Sequence, residues 1–140
     1  MKSTNLKLKN ISRLNDRGIV MLELRKEVIK GLKEHTGLNV YMPYQEIAGL
    51  TFPLITLEMS VADGERTLNH GVVSYSVSFD IYIYADNVEE LLNNEQIKKY
   101  FHLVGMRCTY ESNPSLSHHW YKQYQFECEV LVRNENYIIL

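Results

Sequence analysis

The sequence predicts an α+β fold: a mostly antiparallel β-sheet with two helices packed on one face, in the order α-β-β-β-α-β-β. Three observations carry this. Residues 71–85 and 119–133 alternate between apolar and polar side chains over most of their length, the period of a half-buried strand. Two other stretches, 17–36 and 86–104, repeat apolar residues at the helical period. Finally, only one face of each predicted strand is apolar, as in an antiparallel sheet covered by helices on one side.

The chain has 140 residues, 45% hydrophobic and 23% charged. That length suits one domain, and that balance excludes a disordered chain. The expected division is a basic N-terminal arm at 1–16 and a single α+β domain at 17–140. Two cysteines, Cys108 and Cys128, each lie in an alternating stretch and read as small buried hydrophobes with free thiols. No apolar run approaches the roughly 20 residues that span a bilayer, and the lysine-containing N-terminus has no secretory apolar region. A soluble protein of a reducing compartment, with no membrane partner, is expected. The net charge of −2 hides an asymmetry. Residues 1–33 hold nine Lys/Arg against three acids (+6), and the remainder six against fourteen (−8). A basic front and an acidic remainder suit head-to-tail assembly, or a front facing nucleic acid. For any single lysine, a solvated helix face is the plainer reading.

The elements follow in order. Residues 1–15 mix Lys with Leu6, Leu8, Ile11 and Leu14 without a period, as in an arm ordered against a neighbour. Asp16 is the expected N-cap of the first helix, whose core face is Met21, Leu24, Val28 and Leu32, flanked by Leu22 and Ile29. Gly37 suits its C-terminal stop. Residues 38–43 predict a short strand ended by Pro43, and 53–61 a strand with Ile55, Leu57, Met59 and Val61 on one face. Residues 62–65 (ADGE) carry turn chemistry. In 71–85, Val73, Tyr75, Val77, Phe79, Ile81 and Ile83 share a face, and Ser74, Ser76, Ser78, Asp80, Tyr82 and Tyr84 the other. Asp86 and Glu89 form a capping box for the second helix, which Gly105 ends. Residues 106–111 predict a strand and 112–117 a loop. In 119–133, Trp120, Tyr124, Phe126, Cys128, Val130 and Val132 oppose Tyr121, Gln123, Gln125, Glu127, Glu129 and Arg133. An apolar cluster, 137–140, closes the chain.

The two long strands raise a question of size. A compact chain of this length is roughly 35–40 Å across, whereas each strand would extend about 50 Å. They must either bend at bulges or project beyond the core. A projecting ribbon has unpaired edges, which an oligomer would use as contacts. Tyr82, Tyr84 and Tyr121 on otherwise polar faces fit such an interface, together with Gln123, Gln125 and Arg133. The alternative is that these tyrosines are ordinary surface aromatics.

No catalytic pattern stands out. The five histidines are His35, His70, His102, His118 and His119, and none has a zincin spacing. Adjacent His118 and His119 would point to opposite faces of a strand and read as loop or strand-start residues. Cys108 and Cys128 could approach across neighbouring strands, yet two thiols alone make a poor zinc site. Phosphate-loop, dinucleotide and nucleophile-elbow motifs are absent from the sequence. No metal, cofactor or enzymatic activity is therefore expected. The competing expectation is a small-ligand-binding or enzymatic α+β domain, with His102, Tyr110 and Trp120 around a pocket.

The layout resembles the tail terminator (tail completion) proteins of tailed bacteriophages. An amphipathic helix (LRKEVIKGL) leads to VYMPYQ, then a strand opening FPLITLEMS. The long SYSVSFDIYIYAD follows, then a helix (NVEELLNNEQIKKYF) and two closing strands ending FECEVLVR. The resemblance spans roughly residues 17–133 and includes no catalytic or ligand motif. Related neck and tail-joining proteins share the layout. It implies a structural virion protein that forms a homo-oligomeric ring, usually a hexamer, on the tail tube. Such a ring stops tube growth, faces the head connector and lets DNA pass through it. It would assemble in the host cytoplasm. The basic segment before the first helix departs from the family layout.

Overall fold

A computed structural model describes residues 6–7, 13–43, 46–47, 49–63, 72–92, 94–133 and 136–140. Only the backbone is described at 6–7, 13–20, 63, 72–73 and 133. The elements are β1 (Leu6–Lys7), α1 (Arg13–Thr36), β2 (Val40–Tyr41), β3 (Leu54–Asp63), β4 (Val72–Ala85), α2 (Val88–Leu92), α3 (Gln96–Leu103), β5 (Arg107–Glu111), β6 (Ser115–Ser117), β7 (His119–Arg133) and β8 (Asn136–Ile139). The fold is α+β. Its sheet runs β1-β8-β7-β4-β3-β2, with β5 and β6 also paired to β7.

The alternation in β4 and β7 decides the layers. The two strands pair antiparallel without interruption from Val72↔Arg133 to Ala85↔Trp120. Val77, Phe79, Ile81 and Ile83 therefore line up with Cys128, Phe126, Tyr124 and Lys122 on one face. Helix α1 lays Met21, Leu24, Val28 and Leu32 on that face, and α2 and α3 add Leu91, Ile97 and Phe101. Each fully buried side chain of this kind contributes about 1.5–3 kcal/mol. Phe101 stacks on Phe126 with ring centres 4.0 Å apart, an arrangement worth about 0.5–1.5 kcal/mol beyond its burial.

Several expectations need correction. The sheet is not wholly antiparallel, because β2 runs parallel to β3 through Val40↔Ile55 and Tyr41↔Thr56. A parallel neighbour requires a crossover of a dozen or so residues, and the segment between β2 and β3 supplies it. The first helix begins at Arg13, so Asp16 lies inside its first turn rather than before it. Within the expected arm, Leu6–Lys7 pairs with Tyr137 and Asn136 of β8; residues 1–5 and 8–12 lie outside the described residues, as do His70 and residues 64–65 of the expected 62–65 turn, whose first two residues belong to β3. The second helix is two helices. Asn94 favours a turn over a helix interior, and a bond from its N–H to the Leu91 carbonyl (3.4 Å) closes α2. Its cap is Asn87, not Asp86. The Glu90 N–H donates to Asn87 Oδ1 at 3.0 Å, and Asn87 Nδ2 donates to Glu90 Oε1 at 2.9 Å. The box is thus displaced by one residue. The expected loop at 112–117 contains β6, which pairs Ser115↔Tyr121, Leu116↔Trp120 and Ser117↔His119.

The size question also resolves differently. Strand β4 is flanked by β7 along its length and by β3 from Tyr75 to Tyr84. The second edge of β7 carries β6, β5 and β8 in succession. Neither long strand projects as an unpaired ribbon, so neither offers its edge as a contact.

The helix stops fall at Gly37 (φ 71°) and Gly105 (φ 87°), where a side chain would strain the left-handed backbone. Gly31 answers a different demand. A Cβ there would sit 2.4 Å from the Tyr100 hydroxyl and 2.5 Å from its ring. The buried Tyr100 ring thus lies directly on α1. Helix propensity alone would favour alanine at this position by about 1 kcal/mol, but overpacking costs about 1–3 kcal/mol. Gly31→Ala is expected to lose up to about 2 kcal/mol in urea denaturation. In a Tyr100→Ala background the same substitution should become neutral or stabilising.

Candidate functional site

The sheet face opposite the helices holds the tyrosines singled out above. Register places Leu54, Tyr84 and Tyr121 in one cross-strand row, Thr56, Tyr82 and Gln123 in the next, and Glu58, Asp80 and Gln125 in the third. The Tyr82, Tyr84 and Tyr121 rings form a triangle with centres 6.0–6.1 Å apart, and Tyr82 and Tyr84 lie within 18° of parallel. All three rings are half-buried. Ile47 from the β2–β3 crossover, Gln123 and the β6–β7 hairpin wall a cup of about 450 Å³ above them. His118 forms the hairpin tip with φ 56°. His119 opens β7 and stacks on Phe52 at 4.3 Å. Ile47 and Phe52 of the crossover border this end of the face, where Leu54 and Thr56 are buried.

The electrostatics of the face favour the protonated phenols of Tyr82 and Tyr84. Burial raises the Tyr82 and Tyr84 pKa values, with neighbouring Asp80 and Tyr82 respectively adding to the effect. Burial and then Glu58 raise the Asp80 carboxyl, partly offset by a hydrogen bond from Gln123. Further along, Glu127 and Glu129 continue the acidic side of the same face, and Ser74 Oγ donates to Glu129 Oε1 at 2.5 Å. The patch is an array of hydroxyl and amide donors on aromatic surface, next to carboxylates.

Of the six expected interface residues, five share this face: Tyr82, Tyr84, Tyr121, Gln123 and Gln125. Arg133 is at the opposite end of β7, paired with Val72 and Asn136, and its side chain lies outside the described residues. Tyr110 joins the face, although strict alternation would put it with Cys108. A bulge between Cys108 and Tyr110 brings Tyr110 opposite Gln125. The pocket imagined around His102, Tyr110 and Trp120 does not form. His102 borders a hollow with Lys98, Lys99 and Arg107, Trp120 packs on the helix side, and Tyr110 is on the other face. Cys108 is exposed rather than buried, and Cys128 is buried; both thiols are free. Burial pushes the Cys128 thiol up to about 12. Among the described residues, no group of three or more His, Cys, Asp or Glu could hold a metal ion, and no helix is long and apolar enough to cross a membrane.

A second charged cluster was hidden from sequence reasoning. Lys122 sits on the core face of β7 and is buried. Its Nζ contacts Glu111 at 2.6 Å and lies 5.1 Å from the centre of the Tyr124 ring. Lys98 of α3 meets the other Glu111 oxygen at 2.8 Å. Burial opposes the charge on Lys122, but Glu111 and Tyr124 outweigh it and hold its pKa above the ordinary lysine range. Hydrogen bonds from Lys122 and Lys98 hold the Glu111 carboxyl below its usual range.

No protein-family model matches the chain, and no curated protein matches it.

The lowered Glu111 pKa has a signed consequence. Its stabilisation is complete above the unfolded carboxyl pKa and is lost as pH falls through the lower folded value. Glu111→Gln is expected to cost about 1–2 kcal/mol at pH 7, read by urea denaturation. The gap to the wild type should close under strongly acidic conditions.

Proposed function

We propose that the chain is a structural subunit of a phage or prophage tail, of the tail terminator kind, that meets its partners through the tyrosine-bearing sheet face. Two lines of support meet. The order of segments from the long helix to the final long strand resembles the terminator layout. The Tyr82–Tyr84–Tyr121 triangle carries the reading: rigid aromatic surface with polar tips, flanked by amides, suits a protein contact. In this role the subunits form a ring, as terminators usually do with six copies. The ring caps the tail tube, faces the head connector and admits DNA through its centre. The protein is then part of the virion, assembled in the host cytoplasm.

The cup of about 450 Å³ over the tyrosines favours one other reading, a small-ligand-binding or enzymatic domain, since its volume is typical of ligand sites. A thermal-shift screen separates the two. A metabolite that stabilises a strictly monomeric protein selects the ligand reading.

Native mass spectrometry of the protein alone and with tail tube protein from the same genome tests the assembly reading. Rings are expected in at least one sample, and a monomer in both would sink it. Tyr82→Glu places a charge beside Asp80 and Glu58. It should leave circular dichroism unchanged while weakening ring formation at least tenfold. Unfolding instead would show that the ring is a core element.

A further inference from the structure

The outer sheet face and the outer side of α1 carry opposite charges. Beyond the tyrosine rows the face turns acidic. Glu58 and Asp80 share one cross-strand row, and Glu127 and Glu129 lie in the next two. All four are exposed or half-buried. Among the described residues of these rows the one cation is Arg107, opposite Glu127 at 3.4 Å and largely in solvent. Ser60, Ala62, Ser76 and Ser78 form the floor between the acids, small side chains that let a helix lie close.

Helix α1 shows the opposite sign. Lys26, Lys30 and Lys33 are exposed, and so is Leu22, at 39%. These four and half-buried Ile29 fall within about 100° of arc around the helix. Met21, Leu24, Val28 and Leu32 occupy the opposite, buried arc. Glu23, Glu27 and Glu34 gather on one flank between the two, so charge is sorted across the helix. Lys26 meets Glu23 at 3.6 Å in open solvent, a pairing that holds its ammonium only weakly.

The two surfaces also match in order. Along α1, Leu22 precedes the three lysines, at steps of about 4.5–6 Å. Along the face, the Tyr82 row precedes the three acidic rows, at steps of about 7 Å. The flexible lysine stem absorbs the difference. We infer that the basic side of α1 of one copy docks on the outer sheet face of a second copy, its lysines against the acidic rows and Leu22 against the tyrosines. The inference rests on the ring reading above and names the two surfaces that meet. Helix and face lie on opposite sides of the sheet, so two copies do not satisfy both contacts with each other. The contact is head-to-tail and continues from copy to copy until a ring closes.

Sedimentation velocity of the full chain, alone and with tail tube protein from the same genome, tests it. One variant reverses the helix (Lys26→Glu, Lys30→Glu, Lys33→Glu), and another reverses the face (Glu58→Lys, Glu127→Lys). Each should keep its circular dichroism and weaken assembly at least tenfold. An equimolar mixture of the two should restore assembly, because each reversed surface meets its complement on the other variant. If a reversal unfolds the chain, glutamine at the same positions replaces it, with at least a threefold loss expected. Wild-type assembly that one or both substitutions leave unmoved would overturn the docking inference and leave the tail-subunit reading standing. Loss in both reversed variants without rescue in the mixture would overturn it too, as for an α1 that binds DNA or another protein. A wild type that is monomeric in both samples would overturn both.

Discussion

The uninterrupted antiparallel pairing of β4 with β7 is the constraint on which the rest of the structure depends. Over its full length, one face receives Val77, Phe79, Ile81 and Ile83 opposite Cys128, Phe126, Tyr124 and Lys122. A slip of one residue would turn all of these to solvent. With the register held, α1, α2 and α3 have a single apolar surface to cover, and the core is continuous from Met21 to Ile139. The same pairing makes the other face polar and concentrates the tyrosines at one end of it.

The pairing also determines where partners can approach. Long exposed edges invite other strands, but here β4 is covered by the ten-residue β3 and the second edge of β7 by the short β6, β5 and β8. The outer face remains, and it is chemically uneven. Aromatic and amide groups gather near the β6–β7 hairpin, and Asp80, Glu127 and Glu129 occupy the rows beyond. A face of this kind meets another surface by stacking and by hydroxyl donors rather than by extending the sheet.

One bulged residue reconciles the buried lysine with the core. Without the register shift in β5, Glu111 would fall on the outer face beside Arg107. The bulge carries it to the helix side opposite Tyr124, where it meets Lys122 and Lys98. A lysine in this position with no carboxylate would carry a large desolvation penalty. The same shift delivers Tyr110 to the tyrosine face, so one irregularity serves both sides of the sheet. Bulges re-aim side chains in this way wherever pairing and side-chain placement compete.

The α+β class, the long strands and the apolar faces of α1, β3, β4 and β7 were legible in the sequence, because alternation and helical spacing are local properties of the chain. So was the placing of Tyr82, Tyr84, Tyr121, Gln123 and Gln125 on a common polar face, which follows from parity once the strands are recognised. Local pattern did not reveal the parallel β2–β3 pair, the small strand β6, the bulge at Cys108–Tyr110 or the burial of Lys122. Each depends on what lies across the sheet rather than beside it in sequence. Periodicity therefore determined which way the side chains of α1, β4 and β7 face, and tertiary packing decided which of those faces are closed, because closure requires neighbours that are distant along the chain.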